Sequence, residues 1–205
     1  MLSGLLRFYA EPGARVLDCT ANRRRMWEGV QWGGQVLYMD LDPAMRPDFV
    51  GDFRQLPVGD GSFGVLVFDP PHLPSAAGTD RARAQFRRDF GLGRSIAGDN
   101  VSAYYGPFLA EARRVLVPDG LVFAKVSDYV HNHRYQWSIV DFVQAVRATP
   151  GLTACDLRIK RDPCGGNLKS GKWVNAHHAR NVHSYWVVVR KGGCEARPTA
   201  SGRSP

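Results

Sequence analysis

Short apolar runs recur along this chain, each closed by Asp, Ser or Gly and separated by stretches of helical period. No other feature limits the possible folds as strongly. The runs 14–18 (ARVLD), 35–40 (QVLYMD), 64–69 (GVLVFD) and 121–127 (LVFAKVS) predict strands, and 48–51 predicts a further short one. Runs this apolar suit strands covered on both faces, as in a parallel sheet. Helical spacing over 101–116 sets Tyr105, Phe108, Leu109, Ala112, Val115 and Leu116 on one face, and a second helix is expected over 137–146. Strands alternating with helices imply an α/β doubly wound sheet. The end of the chain breaks the alternation. Two strands, 153–160 and 184–190, flank a basic stretch without helical period, so they are expected to be antiparallel and joined by a long loop.

The length of 205 residues fits one domain over 1–191. No internal repeat is visible. The last fourteen residues, 192–205, are small, polar and rich in Gly, Pro and Ser, which predicts a disordered tail. The formal net charge of +8 favours an acidic partner, nucleic acid first. The four cysteines, Cys19, Cys155, Cys164 and Cys194, form no CxxC pair. No secretory leader and no membrane-spanning run is read, so free thiols in the reducing cytoplasm are expected. Oligomeric state is not legible.

The strongest chemical signal is Asp69-Pro70-Pro71-His72, directly after the apolar run GVLVF. In open α/β sheets, ligands sit outside the carboxyl ends of strands. Two prolines fix φ and remove N–H donors. The carboxylate of Asp69 and the carbonyl of Pro70 are then a pair of acceptors facing the crevice. An amine conjugated to an aromatic ring has two N–H donors and a delocalised lone pair. Two acceptors can hold its hydrogens and free the lone pair for attack on a sulfonium methyl, by positioning and electrostatics. The same residues elsewhere would be only a stiff turn; their place after this strand gives them chemical meaning.

These residues resemble the D/N/S-P-P-Y/F/W motif of the class I amino-methyltransferases, which act on adenine N6, cytosine N4 or guanine N2. Other segments resemble the family in the expected order: VLDCTANRRRMW its cofactor loop, VLYMDLDP its ribose-binding strand end, and VGDFRQLPVGDGSFGVLVFDPP the stretch up to the catalytic loop. RVLVPDGLVFAKVSD resembles the fifth strand with its approach, and SYWVVVRK the terminal strand. The resemblance covers roughly 14–128 and is nearest to short phage and bacterial DNA methylases. It implies a Rossmann-like class I methyltransferase fold, with a seven-stranded, mostly parallel sheet and an antiparallel last strand. It implies S-adenosyl-L-methionine as cofactor, held by Asp18, Cys19, Thr20, Ala21, Asn22, Asp40, Asp52 and Phe53. Asp40 would take the ribose hydroxyls, with Asp42 the competitor two residues on. Asp52 would accept from the cofactor's adenine, and Phe53 either covers that ring or packs the core.

The implied reaction is methyl transfer to an exocyclic amine of a DNA base, adenine N6 or cytosine N4, with Asp69, Pro70, Pro71 and His72 catalytic. The alternatives are an RNA base, a small amine, or a non-catalytic nucleic-acid-binding protein on the same scaffold. Two departures stand out. The first loop lacks the family's glycines; Cys19, Thr20 and Ala21 are small instead, and Asn22 tolerates left-handed backbone. His72 replaces an aromatic residue and can both stack and hydrogen-bond. Arg23, Arg24 and Arg25 are either phosphate contacts or a solvated helix start.

Two basic segments, 73–98 and 160–183, fall where the family places target recognition. Arg81, Arg87 and Arg88 of the first, and Lys169, Lys172, Trp173 and Arg180 of the second, are the candidate substrate contacts. Cys155, Cys164, His177, His178 and His183 fit no zinc-finger spacing, so no metal is expected. Lys125 reads more readily as a strand-end structural lysine than as a substrate contact.

Overall fold

The structure is a computed structural model that describes residues 1–72, 101–131, 134–161, 178 and 181–194. Its centre is a seven-stranded sheet. In chain order the strands are β1 (Val16–Asp18), β2 (Val36–Asp40), β3 (Phe49–Val50), β4 (Phe63–Phe68) and β5 (Leu116–Val126). A two-stranded hairpin follows, β6 (Tyr129–His131) with β7 (Arg134–Gln136), and then β8 (Leu152–Arg161) and β9 (His183–Lys191) return to the main sheet. The order across it is β3-β2-β1-β4-β5-β9-β8. All pairings from β3 to β5 are parallel; β9 runs antiparallel to both β5 and β8.

Both faces of the sheet are covered, which explains why its central strands carry little polar character. The helices α2 (Tyr105–Val115) and α3 (Ser138–Ala148) cover one face. Phe108, Leu109, Ala112 and Val115 of α2, with Phe142 and Val146 of α3, pack on Leu17, Leu66, Phe68 and Val122. The rings of Phe68 and Phe108 stack with centroids 3.6 Å apart. Burying each such side chain contributes roughly 1.5–3 kcal/mol. The other face is covered by an N-terminal helix, α1 (Leu2–Tyr9), through Leu2, Leu5 and Leu6, and by Trp27 of a short 3-10 turn (Arg25–Trp27). They meet Val16, Val65, Val67, Phe123 and Trp186.

The strand and helix expectations hold with shifted ends. Strand β5 begins five residues early because Pro118-Asp119-Gly120 kinks within it, with Asp119 at φ +60°, and the pairing with β4 slips there. Two elements were not expected. Helix α1 has leucines at Leu2, Leu5 and Leu6, an i, i+3, i+4 stripe too short to stand out in the sequence. The β6–β7 hairpin is pinned by buried Asp128, which accepts from Tyr135 Oη (3.2 Å), Tyr185 Oη (3.3 Å) and the Ile139 N–H (3.0 Å).

One expectation about the cysteines is corrected. Cys155 and Cys194 form a disulfide, with their Cα atoms 5.5 Å apart, rather than standing as free thiols. The antiparallel register of β8 and β9 brings these distant residues together. Just before Cys194, the Gly192 N–H donates to the Gly151 carbonyl, and the Gly192 carbonyl accepts from the Thr153 hydroxyl. Residues 195–205 lie outside the described residues. No described helix is long and apolar enough to cross a membrane.

Candidate active site

The carboxyl ends of β1, β2, β3 and β4 open on one cleft of about 660 Å³, within the range of small-molecule sites. Three of the loops that wall it, after β1, β2 and β3, each carry at or just past the strand end an acid that folds back on the chain. Asp18 Oδ1 accepts the Thr20 N–H (3.0 Å), Asp40 Oδ1 the Asp42 N–H (2.9 Å), and Asp52 Oδ1 the Arg54 N–H (2.9 Å). This i to i+2 carboxylate turn is a local device of Asp that stops a strand sharply.

The loop after β1 supplies Cys19, Thr20, Ala21 and Asn22 to the cleft. It has no glycine, and it solves the turn otherwise: Asn22 (φ +43°) and Arg24 (φ +56°) both take left-handed backbone. Asn22 tolerates this intrinsically. The Arg24 side chain is fastened, its guanidinium lying over the Tyr38 ring (4.2 Å) and donating to the Arg46 carbonyl (2.6 Å). Arg24 is therefore a brace, whereas Arg23 and Arg25 line the cleft. Asp18 is placed differently from the rest of its loop. It is fully buried outside the cleft lining, and its Oδ2 accepts from Trp27 Nε1 (2.7 Å). Burial pushes its carboxyl up to about 7; the Trp27 and Thr20 donors oppose this, and the charges of Asp69 and Asp40 add to it. Asp18 anchors the loop from behind.

Asp40 lines the cleft at the end of β2. Its two oxygens accept one backbone N–H each, from Asn22 (2.7 Å) and Asp42 (2.9 Å). A carboxylate has about four acceptor sites, so these bonds leave acceptor capacity at Asp40. Burial raises the Asp40 carboxyl, and those N–H donors partly oppose it. Asp42 is turned elsewhere, capping the 3-10 turn Pro43–Met45 through the Ala44 N–H (2.9 Å). Asp52 and Phe53 also line the cleft. Asp52 is gripped by Arg54 (2.5 Å), which outweighs burial and holds its carboxyl below the usual range. Phe53 is only 6 % exposed and meets Phe68, Tyr104 and Phe108 edge-on, so it is core with one side toward the cleft. Gly51 beside them lies so close to Met39 that a Cβ would come within 2.8 Å of its sulfur.

Asp69, Pro70, Pro71 and His72 close the opposite wall. Asp69 follows the last residue of β4, and its backbone N–H donates to Thr20 Oγ1 (2.7 Å). Its carboxylate takes both contacts from Lys125 Nζ, at 3.2 Å and 3.0 Å, and His72 Nε2 lies 2.9 Å from its Oδ1. Burial would raise its carboxyl, but His72 and Lys125 outweigh this and hold it below the usual range. Lys125 is thus a cleft residue, against the structural reading of it. The β4–β5 register sets Phe68 beside Ala124, which makes the next residues, Asp69 and Lys125, lateral neighbours. Trp186, the cross-strand partner of Lys125, and Lys160 also line the cleft.

Arg81, Arg87, Arg88, Lys169, Lys172, Trp173 and Arg180 lie outside the described residues. Among the described residues no group of three or more His, Cys, Asp or Glu side chains could hold a metal.

No protein-family model matches the sequence, and no curated protein matches it. Solved structures do match across nearly the whole chain. TrmN from Thermus thermophilus aligns at a TM-score of 0.55 and 18 % identity, over 92 % of this chain and 47 % of TrmN, so the chain spans about half of TrmN's length. A SAM-dependent methyltransferase from Methanosarcina mazei aligns at 0.56 and 11 % identity, over 92 % of this chain and 97 % of its own. The 1,6-didemethyltoxoflavin-N1-methyltransferase of Burkholderia thailandensis, with bound 1,6-didemethyltoxoflavin and S-adenosylhomocysteine, aligns at 0.52 and 19 % identity, over 93 % and 76 %. The chain has the Rossmann-like class I methyltransferase fold.

Proposed function

We propose that this protein transfers a methyl group from S-adenosyl-L-methionine to the exocyclic amine of a nucleic-acid base, adenine N6 or cytosine N4, with DNA favoured over RNA. The observation that carries this reading is the placement of Asp69. It stands ionised at the end of β4, followed by two prolines, in the same cleft as the partly satisfied carboxylate of Asp40. The solved structures of this fold that carry the cofactor's name or its demethylated product support the choice of methyl donor.

The chain's residues divide the work. Asp40 keeps acceptor capacity beyond its backbone N–H donors, which suits the paired hydroxyls of a ribose. Asp52 offers the adenine amine what Arg54 leaves of its acceptor capacity. The small side chains of Cys19, Thr20 and Ala21 let the cofactor lie close to the loop backbone. When bound, the cofactor supplies a sulfonium methyl; the sulfur–carbon bond breaks as a nitrogen–carbon bond forms. Asp69 and the Pro70 carbonyl accept the two amine hydrogens and so free the nitrogen lone pair. Because Lys125 and His72 keep the Asp69 carboxyl acidic, Asp69 acts as an acceptor that orients the amine. The proton released from the methylated nitrogen passes on to solvent. The cationic Arg23, Arg25 and Lys160 at the cleft, with the net charge of +8, suit a polyanionic substrate. A base in duplex must leave the stack to reach Asp69.

Asp69→Ala tests the reading. It should keep S-adenosylmethionine affinity within a few-fold in a calorimetric titration, and lose transfer to nucleic acid by on the order of a hundredfold or more. Undiminished transfer by Asp69→Ala refutes the assignment.

A further inference from the structure

We infer that Lys125 and Asp69 form a donor–acceptor pair that reads two neighbouring atoms of the target base, the amine and the ring nitrogen beside it. The inference rests on the function proposed above and specifies how its substrate is chosen.

The geometry starts from the pair itself. Lys125 Nζ lies 3.2 Å and 3.0 Å from the two oxygens of Asp69, and both side chains line the cleft. An ammonium has three protons, and a carboxylate has about four acceptor sites. The ion pair uses two of each, and His72 lies against one oxygen. Among the described residues Lys125 makes no further hydrogen bond. The pair can therefore present one acceptor and one donor side by side. Trp186 stands opposite Lys125 across the strands, and Pro70 and Pro71 fix φ in the turn that follows Asp69.

The complementary ligand has a donor beside an acceptor. In adenine, the N6 amine neighbours the N1 lone pair; in cytosine, the N4 amine neighbours N3. Both are N=C–NH2 units, and both lie on the pairing edge that becomes accessible only when the base leaves the duplex. Asp69 would take the amine hydrogen while Lys125 donates to the ring nitrogen. A simple aliphatic amine offers nothing to Lys125, so the pair also selects against the small-amine alternative. A charge-assisted bond of this kind contributes roughly a ten- to hundredfold change in affinity.

The test compares oligonucleotides that carry the accepted base or its deaza analogue, 1-deazaadenine for adenine or 3-deazacytosine for cytosine. Each replaces the ring nitrogen by C–H and keeps the amine. Affinity is measured with S-adenosylhomocysteine present, because the analogues also alter amine reactivity. The wild-type protein should bind the analogue roughly ten- to hundredfold more weakly than the parent base. Lys125→Met should bind the parent more weakly and lose the preference, and Lys125→Arg should regain part of it. Equal affinity of the wild type for parent and analogue overturns the inference. So does a full analogue penalty in Lys125→Met, since a lysine that only supports Asp69 would weaken both ligands alike. If Lys125→Met does not fold in a thermal melt, the wild-type comparison alone decides. Failure to methylate any unmodified base with S-adenosylmethionine defeats the proposed function, and that transfer assay, run before the affinity comparison, keeps the two failures apart.

Discussion

The hydroxyl oxygen of Thr20 accepts the backbone N–H of Asp69 at 2.7 Å, tying the loop after β1 to the loop after β4. One wall of the cleft is thereby set by the other. Thr20→Val keeps the shape and removes the acceptor. It should cost about 1–3 kcal/mol of stability, the penalty for a partly buried N–H left unpaired. Cofactor affinity and methyl transfer should fall together, and Thr20→Ser should restore both. A denaturant titration beside a transfer assay checks it; unchanged stability in Thr20→Val would show that the Asp69 amide is satisfied by water.

Asp40 and Asp42 are two residues apart but face different tasks. Asp40→Asn should weaken S-adenosylmethionine binding at least tenfold in calorimetry, because it turns one of two acceptors for a hydroxyl pair into a donor. Asp42→Ala removes only the cap of a 3-10 turn, worth about 0.5–2 kcal/mol. Its cofactor affinity should stay within twofold of wild type. Equal losses in the two variants would contradict the placement of the ribose at Asp40.

Buried Asp18 makes folding depend on pH in an unusual direction. Its carboxyl is raised from its ordinary value of 3.8 to about 7 in the folded chain. The folded state therefore holds this proton more tightly than the unfolded state. The contribution is fully present below about pH 4 and is lost as pH rises through about 7. The slope is on the order of 1.4 kcal/mol for each pH unit between those values. Subtracting the stability profile of Asp18→Asn from that of the wild type isolates the effect. A flat difference between pH 4 and 7 would mean that Asp18 is ionised at its ordinary value.

The disulfide between Cys155 and Cys194 closes a separation of 39 residues. Its loss should lower stability by up to about 4 kcal/mol, mainly by freeing the unfolded chain. Cys194→Ser and thiol reductant should shift the thermal midpoint alike, and reductant should add nothing to the variant. If reductant leaves the wild type unmoved, the two thiols are not joined in solution.

Much of this architecture was legible because burial on both faces leaves its mark on strand composition. The run GVLVFD marks β4 and its reactive end without any neighbour being known. The carboxylate turns at Asp18, Asp40 and Asp52 follow from the same punctuation. What the sequence hides is lateral. Nothing in LVFAKVS says that Lys125 meets Asp69, because that contact depends on the parallel register of β4 with β5. Cys155 and Cys194 meet through the β8–β9 register in the same way. Asp18 shows the opposite case: its motif position suggested a cofactor contact, but the nearby indole of Trp27 draws its carboxylate inward.

The product of the reaction tests the proposed function most directly. The full-length protein should be incubated with isotopically labelled S-adenosylmethionine and unmodified DNA or RNA, and the digested nucleosides separated by mass spectrometry. Label is expected on an exocyclic amine, as N6-methyladenine or N4-methylcytosine, formed by the wild type and not by Asp69→Ala. Label on a ring carbon, a ring nitrogen or a sugar hydroxyl, or none on either polymer while the cofactor binds, would contradict the proposed function.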